Sequence, residues 1–179
     1  MKRILIATAI GLGVLVSGCT GSSTTGTPTP TSGGSTSTSG SDTSTGLEAI
    51  AQKPCDLLTQ SEATSINVSP TGEAEKVGTA EGCDWSESGR GGLRVGVRAK
   101  SGVKDLTLNG ESSQIKVGKY DVTKVEAPDG AKGMCTYLIA VSESSSVSII
   151  GSVGLTSTDT AAACDRAAKA AELIAPKLP

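Results

Sequence analysis

A long polar segment divides this chain and limits where a folded core can form. Residues from Thr20 to about Gly46 are almost entirely Thr, Ser and Gly, with two prolines and a single charge. Such a segment cannot bury enough apolar surface to offset chain entropy, so we expect a disordered tether. The core must therefore come from Leu47 to Pro179, which is enough sequence for one small domain.

The segment before the tether has the pattern of an export signal. Two basic residues precede a mostly apolar run, Ile4 to Val16, which is too short to span a bilayer and is typical of a signal-peptide core. Val16-Ser17-Gly18-Cys19 then resembles the bacterial lipobox, whose cysteine receives diacylglycerol and becomes the mature N-terminus. We expect a signal peptide over residues 1–18 and lipidation at Cys19. The alternatives are an ordinary signal peptide with an incidental cysteine, or a short membrane anchor.

Lipidation at Cys19 has a direct consequence for location. Diacylglycerol carries two acyl chains, and two chains anchor a protein stably where one does not. We therefore expect the protein at the extracytoplasmic face of the cell membrane, held there by its lipid. Residues 19–46 would then be the lipidated cysteine and its tether, and residues 47–179 the folded domain.

Four further cysteines, Cys55, Cys83, Cys135 and Cys164, lie in the domain. An exported domain is in an oxidising compartment, where an even number of well-spaced cysteines indicates disulfides. Three pairings are possible, and we favour Cys55–Cys83 with Cys135–Cys164 because sequential pairing staples each half of the domain separately. A zinc site is the rival hypothesis, but the cysteines lack the Cys-x2–4-Cys spacing of zinc ligands, so we expect no metal.

Apolar periodicity predicts an antiparallel sheet with helices at both of its ends. Residues 93–99 alternate between apolar and polar side chains, and a hairpin is predicted from 135–141 and 147–153. Shorter strands are expected at 83–85, 115–117 and 122–125, while 103–108 is ambiguous between helix and strand. Pro54 and Thr59 begin short helical segments, and Asp159 caps an Ala-rich helix.

These elements define the expected fold. We predict an α+β domain with an antiparallel sheet of about five to six strands, short N-terminal helices, a C-terminal helix packed on the sheet, and two disulfides. The last helix places Cys164, Ala167, Ala171 and Ile174 on one face, so Cys164 should point towards the sheet.

Taken together, these landmarks resemble a known family. Pro54-Cys55-Asp56-Leu57-Leu58, Gly82-Cys83-Asp84-Trp85, Cys135 and Ala163-Cys164-Asp165-Arg166-Ala167-Ala168 are similar to motifs of the actinobacterial lipoproteins of the domain-of-unknown-function family 3558. The resemblance covers Pro54 to Pro179. It implies an α+β domain with two sequentially paired disulfides, no established activity and no catalytic residues. A more distant similarity to the extracellular sensor domains of mycobacterial receptor kinases implies ligand sensing.

The composition removes the commonest catalytic arrangements. The chain has no histidine, which excludes a Ser-His-Asp triad and removes the most frequent general base. Ser101-Gly102-Val103-Lys104 and Ser113-Gln114-Ile115-Lys116 match the S-x-x-K motif of penicillin-binding enzymes, but the partner motifs S-D-N and K-T-G are missing. We expect no enzyme activity and no cofactor.

The charge distribution suggests which partners are compatible with the domain. The net charge is −2, which does not provide the basic footprint of a nucleic-acid binder, so we expect no nucleic-acid partner. Arg94, Arg98 and Lys100 share one face of a predicted strand. One interpretation is a cationic patch for an anionic lipid headgroup, wall polymer or acidic partner. The other is a solvated sheet face, balanced by carboxylates such as those of Asp84 and Glu75.

These observations lead to two hypotheses about function. The first is a non-catalytic binding or interaction module of the cell envelope, anchored by its lipidated cysteine, whose partner is an envelope protein, a wall polymer or a lipid. The second is an envelope sensor or carrier that holds a small amphiphile in an apolar pocket. A co-purified ligand would distinguish the second hypothesis from the first.

Overall fold

The computed structural model of the protein describes residues 41–86 and 88–179. In this part of the chain the helices are α1 (Ser41–Gln52), α2 (Gln60–Ser65) and α3 (Thr160–Ile174). The strands are β1 (Glu73–Val77), β2 (Ala80–Asp84), β3 (Gly91–Arg98), β4 (Glu111–Val117), β5 (Tyr120–Glu126), β6 (Met134–Ser142) and β7 (Ser145–Val153). The predicted signal peptide, Cys19 and the tether up to residue 40 lie outside the described residues.

The strands form one antiparallel sheet in the order β1-β2-β3-β7-β6-β5-β4. All six strands indicated by the sequence pattern are present, which confirms the predicted fold class. The seventh strand is β1, which pairs with β2 at one edge of the sheet. Its sequence, EAEKV, has no alternation of apolar and polar residues, so hydrophobic patterning does not reveal it.

The first helix of the structure, α1, is not predicted by the sequence, whose first expected helical segment begins at Pro54. Helix α1 starts at Ser41, inside the segment expected to be a disordered tether up to Gly46, so that expectation was wrong for residues 41–46. Leu47 is fully buried, and Ile50 and Ala51 pack against the core. Because helix formation is cooperative, a helix docked through these residues extends back through the polar ones before them.

The C-terminal helix lies on one face of the sheet, as predicted. The side chain of Asp159 caps α3 by accepting a hydrogen bond from the backbone N–H of Ala162 at 3.0 Å. Gly151 of β7 lets the helix approach closely, because a Cβ atom there would lie 2.3 Å from the backbone oxygen of Ala163. The main core forms between this face of the sheet and the helices, and it includes Trp85, Leu93, Val95, Ile139, Ile149 and Ile174.

Two disulfides connect the helical segments to the sheet. Cys55, in the 3-10 turn Pro54–Leu57, pairs with Cys83 of β2 across a Cα–Cα distance of 5.1 Å. Cys135 of β6 pairs with Cys164 of α3 across 4.9 Å. This is the sequential pairing that the sequence favours. Each bridge closes a loop of moderate length, which stabilises the domain by about 3 to 4 kcal/mol in the chain-entropy account.

The opposite face of the sheet is crossed by the connection between β3 and β4, residues 99–110, because β7, β6 and β5 lie between those two strands. Ser146 Oγ donates to Ser101 O at 2.8 Å, and the backbone N–H of Asp129 donates to Asn109 O at 2.7 Å. The segment with ambiguous periodicity contains one 3-10 turn, Val103–Asp105. Val125 and Leu138 are buried on this face, apart from the main core.

Candidate functional site

Arg94, the first residue of the predicted cationic patch, is engaged by two carboxylates. Its Nη2 lies 2.8 Å from Asp84 Oδ2 on the neighbouring strand, and its Nε forms an ion pair with Glu75 of β1. Burial opposes the charged form of Arg94, but the hydrogen bond to Asp84 and the charges of both carboxylates outweigh it and raise its pKa. Arg94 therefore joins the three strands at this edge of the sheet.

Arg98 and Lys100 also have partners within the domain. Arg98 Nη1 donates to Ser148 Oγ at 2.9 Å, and Nη2 donates to Val77 O at 3.4 Å. Burial lowers the pKa of Arg98. Lys100 Nζ lies 3.3 Å from Glu48 Oε1 of α1. The geometry thus gives each predicted patch residue a structural role, and anion binding by these residues stays a prediction.

A groove of about 550 Å³ runs beside α1 and includes two of the predicted patch residues. We call it the α1 groove; its charged walls are Glu48, Glu81, Arg98 and Lys100. Two acidic and two basic side chains balance each other there. A groove with this lining offers no net charge to a charged ligand, so electrostatics do not favour it as an anion site.

A second groove, of about 500 Å³, lies at the C-terminal end of α2 and has a different charge pattern. We call it the arginine groove; it is lined by Thr64, Asn67, Val68, Pro70, Arg90, Gly91 and Arg166. Both charged side chains in this lining are arginines. The groove brings together residues from the end of α2, from the turn before β3 and from α3.

Arg166 is held in the arginine groove by a backbone hydrogen bond. It is half-buried on α3, and its Nη1 donates a hydrogen bond to the backbone oxygen of Ser152 on β7. Burial lowers the pKa of this guanidinium. Among the described residues, no carboxylate forms a salt bridge with Arg166. Arg90 is exposed and is engaged by another residue.

From the sequence, Arg166 is identified only as part of a family motif, and Arg90 is not among the predicted site residues. One signal for Arg166 was available: it borders the apolar face of α3, beside the buried Ala163 and Ala167. A charged residue in that position must extend its stem along the helix to reach solvent or a partner. Its convergence with Asn67 and Arg90 depends on tertiary contacts that no local pattern encodes.

A cavity of about 370 Å³ with mainly apolar walls lies next to the C-terminal segment. Val117, Tyr120, Ala175 and Leu178 supply these walls, and Lys119 and Glu172 also line the cavity. The hydroxyl of Tyr120 donates to Pro179 O at 2.6 Å, which fixes the ring. Small-molecule sites usually occupy about 300 to 1,000 Å³, so this cavity is at the lower end of that range.

Within residues 41–86 and 88–179, no group of three or more Cys, Asp and Glu side chains is arranged to hold a metal ion. In the same residues, no helix combines the length and the apolar character needed to cross a membrane.

Comparison with known proteins identifies one family. The family described as "Protein of unknown function (DUF3558)" matches residues 14–177 of the chain. No curated protein and no solved structure matches it. The match agrees with the resemblance that the cysteine motifs indicate, and it assigns no activity and no ligand.

Proposed function

The chain belongs to the DUF3558 family of proteins of unknown function, and from this premise we propose that it is an exported actinobacterial lipoprotein. In this proposal the signal peptide of residues 1–18 is removed and Cys19 carries diacylglycerol. The folded domain then acts as a non-catalytic binding module at the extracytoplasmic face of the cell membrane.

The observation that carries the export proposal is the pair of disulfides in the domain. Cys83 and Cys135 are fully buried, and both belong to bridges that connect a helical segment to the sheet. Structural disulfides of this kind persist in oxidising compartments and are rare in the cytosol. Envelope lipoproteins are expected to have this order of segments: an export signal, a lipobox cysteine and then an oxidised domain.

The number of residues between Cys19 and α1 suits a tethered module. Residues 20–40 separate the cysteine from the start of the helix at Ser41. A flexible Ser/Thr/Gly chain of that length has a mean reach of about 25 Å. The domain would therefore stand clear of the lipid headgroups and present its grooves to partners in the envelope.

Two features support binding over catalysis. The chain contains no histidine, the residue that most often serves as general acid or base near neutral pH. The domain also presents grooves at its surface, of which the arginine groove combines cationic and apolar walls. A surface of this composition is suited to recognising a ligand or partner through charge and shape.

A second candidate function is a sensor or carrier of a small amphiphile. The cavity beside Val117, Tyr120 and Leu178 favours it, because its lining is mainly apolar and includes two charged side chains. Extraction of the purified protein followed by mass spectrometry would reveal a co-purified amphiphile. Replacing Val117 by a larger residue, Val117→Trp, should then exclude it.

The lipid anchor is tested by Cys19→Ala in cells that carry the lipoprotein pathway. We expect the wild-type protein in the membrane fraction and the variant outside it or as an unprocessed precursor. Ser22→Ala, close to the lipobox but outside it, is the matched control and should behave as wild type. If Cys19→Ala stays in the membrane fraction and the wild type is also unprocessed, the lipoprotein proposal is wrong.

A further inference from the structure

We propose that the arginine groove binds an oxyanion, a phosphate or carboxylate group, with Arg166 as the principal ligand-binding residue and Arg90 in support. The inference rests on the proposed role as a binding module and names the chemistry of the ligand. It does not depend on the lipid anchor.

The way in which Arg166 is held suits it to bind an anion. Its Nη1 is fixed on Ser152 O, and the side chain is half-buried between α3 and the end of β7. A guanidinium has five N–H donors in a planar fork, and the bond to Ser152 uses one of them. An arginine fixed in this way has already lost much of its conformational entropy, which lowers the cost of binding a ligand.

The charge of the arginine groove lining also favours an anion. Arg166 lines the arginine groove, and no carboxylate among residues 41–86 and 88–179 forms a salt bridge with it. In the α1 groove, by contrast, the basic side chain of Lys100 is paired with Glu48. Because partial burial strengthens electrostatic attraction, Arg166 attracts an anion more strongly than an exposed cation does.

The residues that line the groove beside the Arg166 guanidinium are compatible with an anionic ligand. Asn67 follows α2 and lines the groove, and its side-chain amide is a hydrogen-bond donor of the type that oxyanions accept. Thr64 donates its hydroxyl proton to Gln60 O, so this proton is not available for a hydrogen bond to an anion. Val68 and Pro70 add apolar wall, which suits an anionic group attached to a small organic body.

A titration of the full-length protein in non-ionic detergent micelles tests this site. The probes are inorganic phosphate, glycerol 3-phosphate, succinate and dihexanoyl phosphatidic acid, all at one ionic strength. The backbone amide signals of residues 67, 91 and 166 are followed by nuclear magnetic resonance. We expect saturable shifts at these positions with at least one phosphate probe.

The variants separate specific binding from general attraction. Arg166→Gln should weaken binding by at least about tenfold, the effect expected from loss of a charge-assisted hydrogen bond. Arg90→Gln should weaken it less. Lys169→Gln removes a positive charge from an exposed position of the same helix, so it is the matched control and should bind as wild type.

A purely structural role for Arg166 predicts a different result. Arg166→Lys keeps the positive charge but loses the planar fork, so it should fold and still bind phosphate more weakly than the wild type. Near-ultraviolet circular dichroism of Trp85, the single tryptophan, verifies the fold of each variant. Equal binding by folded Arg166→Lys, Arg166→Gln and wild type would overturn the proposal, as would a lack of saturable shifts with every probe.

The choice of probes also identifies the source of the anion. Tighter binding of dihexanoyl phosphatidic acid than of glycerol 3-phosphate indicates a lipid headgroup, whereas equal binding indicates a free phosphorylated solute. Stronger binding of succinate indicates a carboxylate. If the protein is acylated and located at the membrane but shows no saturable shifts with any probe, the anion site is refuted. The lipoprotein proposal is then left intact.

Discussion

The ammonium group of Lys177 lies 2.7 Å from Oε2 of Glu62, and the same Nζ lies 2.7 Å from Leu57 O. This contact links the segment after α3 to the start of α2. Glu62 Oε2 also accepts the backbone N–H of Thr59 at 2.8 Å, as part of the capping box. One carboxylate therefore stabilises a helix start and joins two distant parts of the chain.

This arrangement predicts a pH-dependent contribution of Glu62 to stability. The hydrogen bond from Lys177 and then the backbone hydrogen bond from Thr59 lower the pKa of Glu62 in the folded protein. A lowered folded-state pKa means that the unfolded chain binds more protons in that pH range, so stability is gained above the unfolded pKa and lost as the pH falls. We expect Glu62→Gln to reduce the free energy of unfolding by about 1 kcal/mol at pH 7.

Urea unfolding of wild type and Glu62→Gln between pH 3 and pH 7 measures this contribution. The difference should shrink as the pH falls below about 4.3, the ordinary pKa of glutamate. Glu111→Gln, an exposed carboxylate at the start of β4, is the matched control. A difference that stays constant down to pH 3 would show that Glu62 does not act through its charge.

Removal of one disulfide tests how the helices are held on the sheet. We expect the double variant Cys135→Ala/Cys164→Ala to lose about 3 to 4 kcal/mol, since the bridge restricts the unfolded chain. The variant Cys55→Ala/Cys83→Ala should lose a similar amount, because the sequence separations are 29 and 28. Chemical denaturation monitored by Trp85 fluorescence measures both. A loss below 1 kcal/mol in either variant contradicts the stabilising role of that bridge.

Gly151 tests the close packing of α3 on β7. A Cβ atom at this position would lie 2.3 Å from Ala163 O and 3.2 Å from Ala167 Cβ, so the helix would have to move. We expect Gly151→Ala to destabilise the fold by about 1 to 3 kcal/mol, as overpacking does. In Gly130→Ala the new methyl group meets open space, so that control measures backbone strain alone, about 1 kcal/mol. Equal stability of Gly151→Ala and wild type in thermal unfolding would refute the proposed contact.

Arg94 should matter for stability and leave phosphate binding unchanged. Arg94→Gln removes the partner of Asp84 and Glu75, and we expect a loss of roughly 1 kcal/mol because the site is partly exposed to solvent. The double variant Arg94→Gln/Asp84→Asn should recover part of that loss, since one uncompensated charge is removed. Denaturant unfolding gives the stabilities. Weaker phosphate binding by Arg94→Gln would instead support the anion patch predicted from the sequence.

The sequence predicted the strands whose side chains alternate clearly. Val95, Val147 and Ile149 sit on the buried face of the sheet, as their spacing indicates. By contrast, β1 is held by backbone pairing to β2 at an exposed edge of the sheet. Its side chains therefore need not alternate between apolar and polar residues. Helix α1 was missed for a related reason: Leu47 fixes the helix from inside the domain, and the polar residues before it give no periodic signal.

The site was harder to predict than the fold. Arg94 and Arg98 lie on β3, and Lys100 follows it, so all three are visible as a sequence pattern. Their partners Glu75, Ser148 and Glu48, however, come from three other elements. The arginine groove shows the reverse case. Arg90 and Arg166 are far apart in sequence, and they line the same groove only because α3 packs on the sheet. Local patterns find residues that share an element and miss sites built from several.

The mass of the native protein, purified without reducing agent from the membrane fraction, tests the central proposal most directly. The account predicts a chain that begins at Cys19, carries a diacylglyceryl group and has lost four hydrogen atoms to two disulfides. A product that retains Met1 and five free thiols would contradict it, because the protein would then be neither processed nor oxidised.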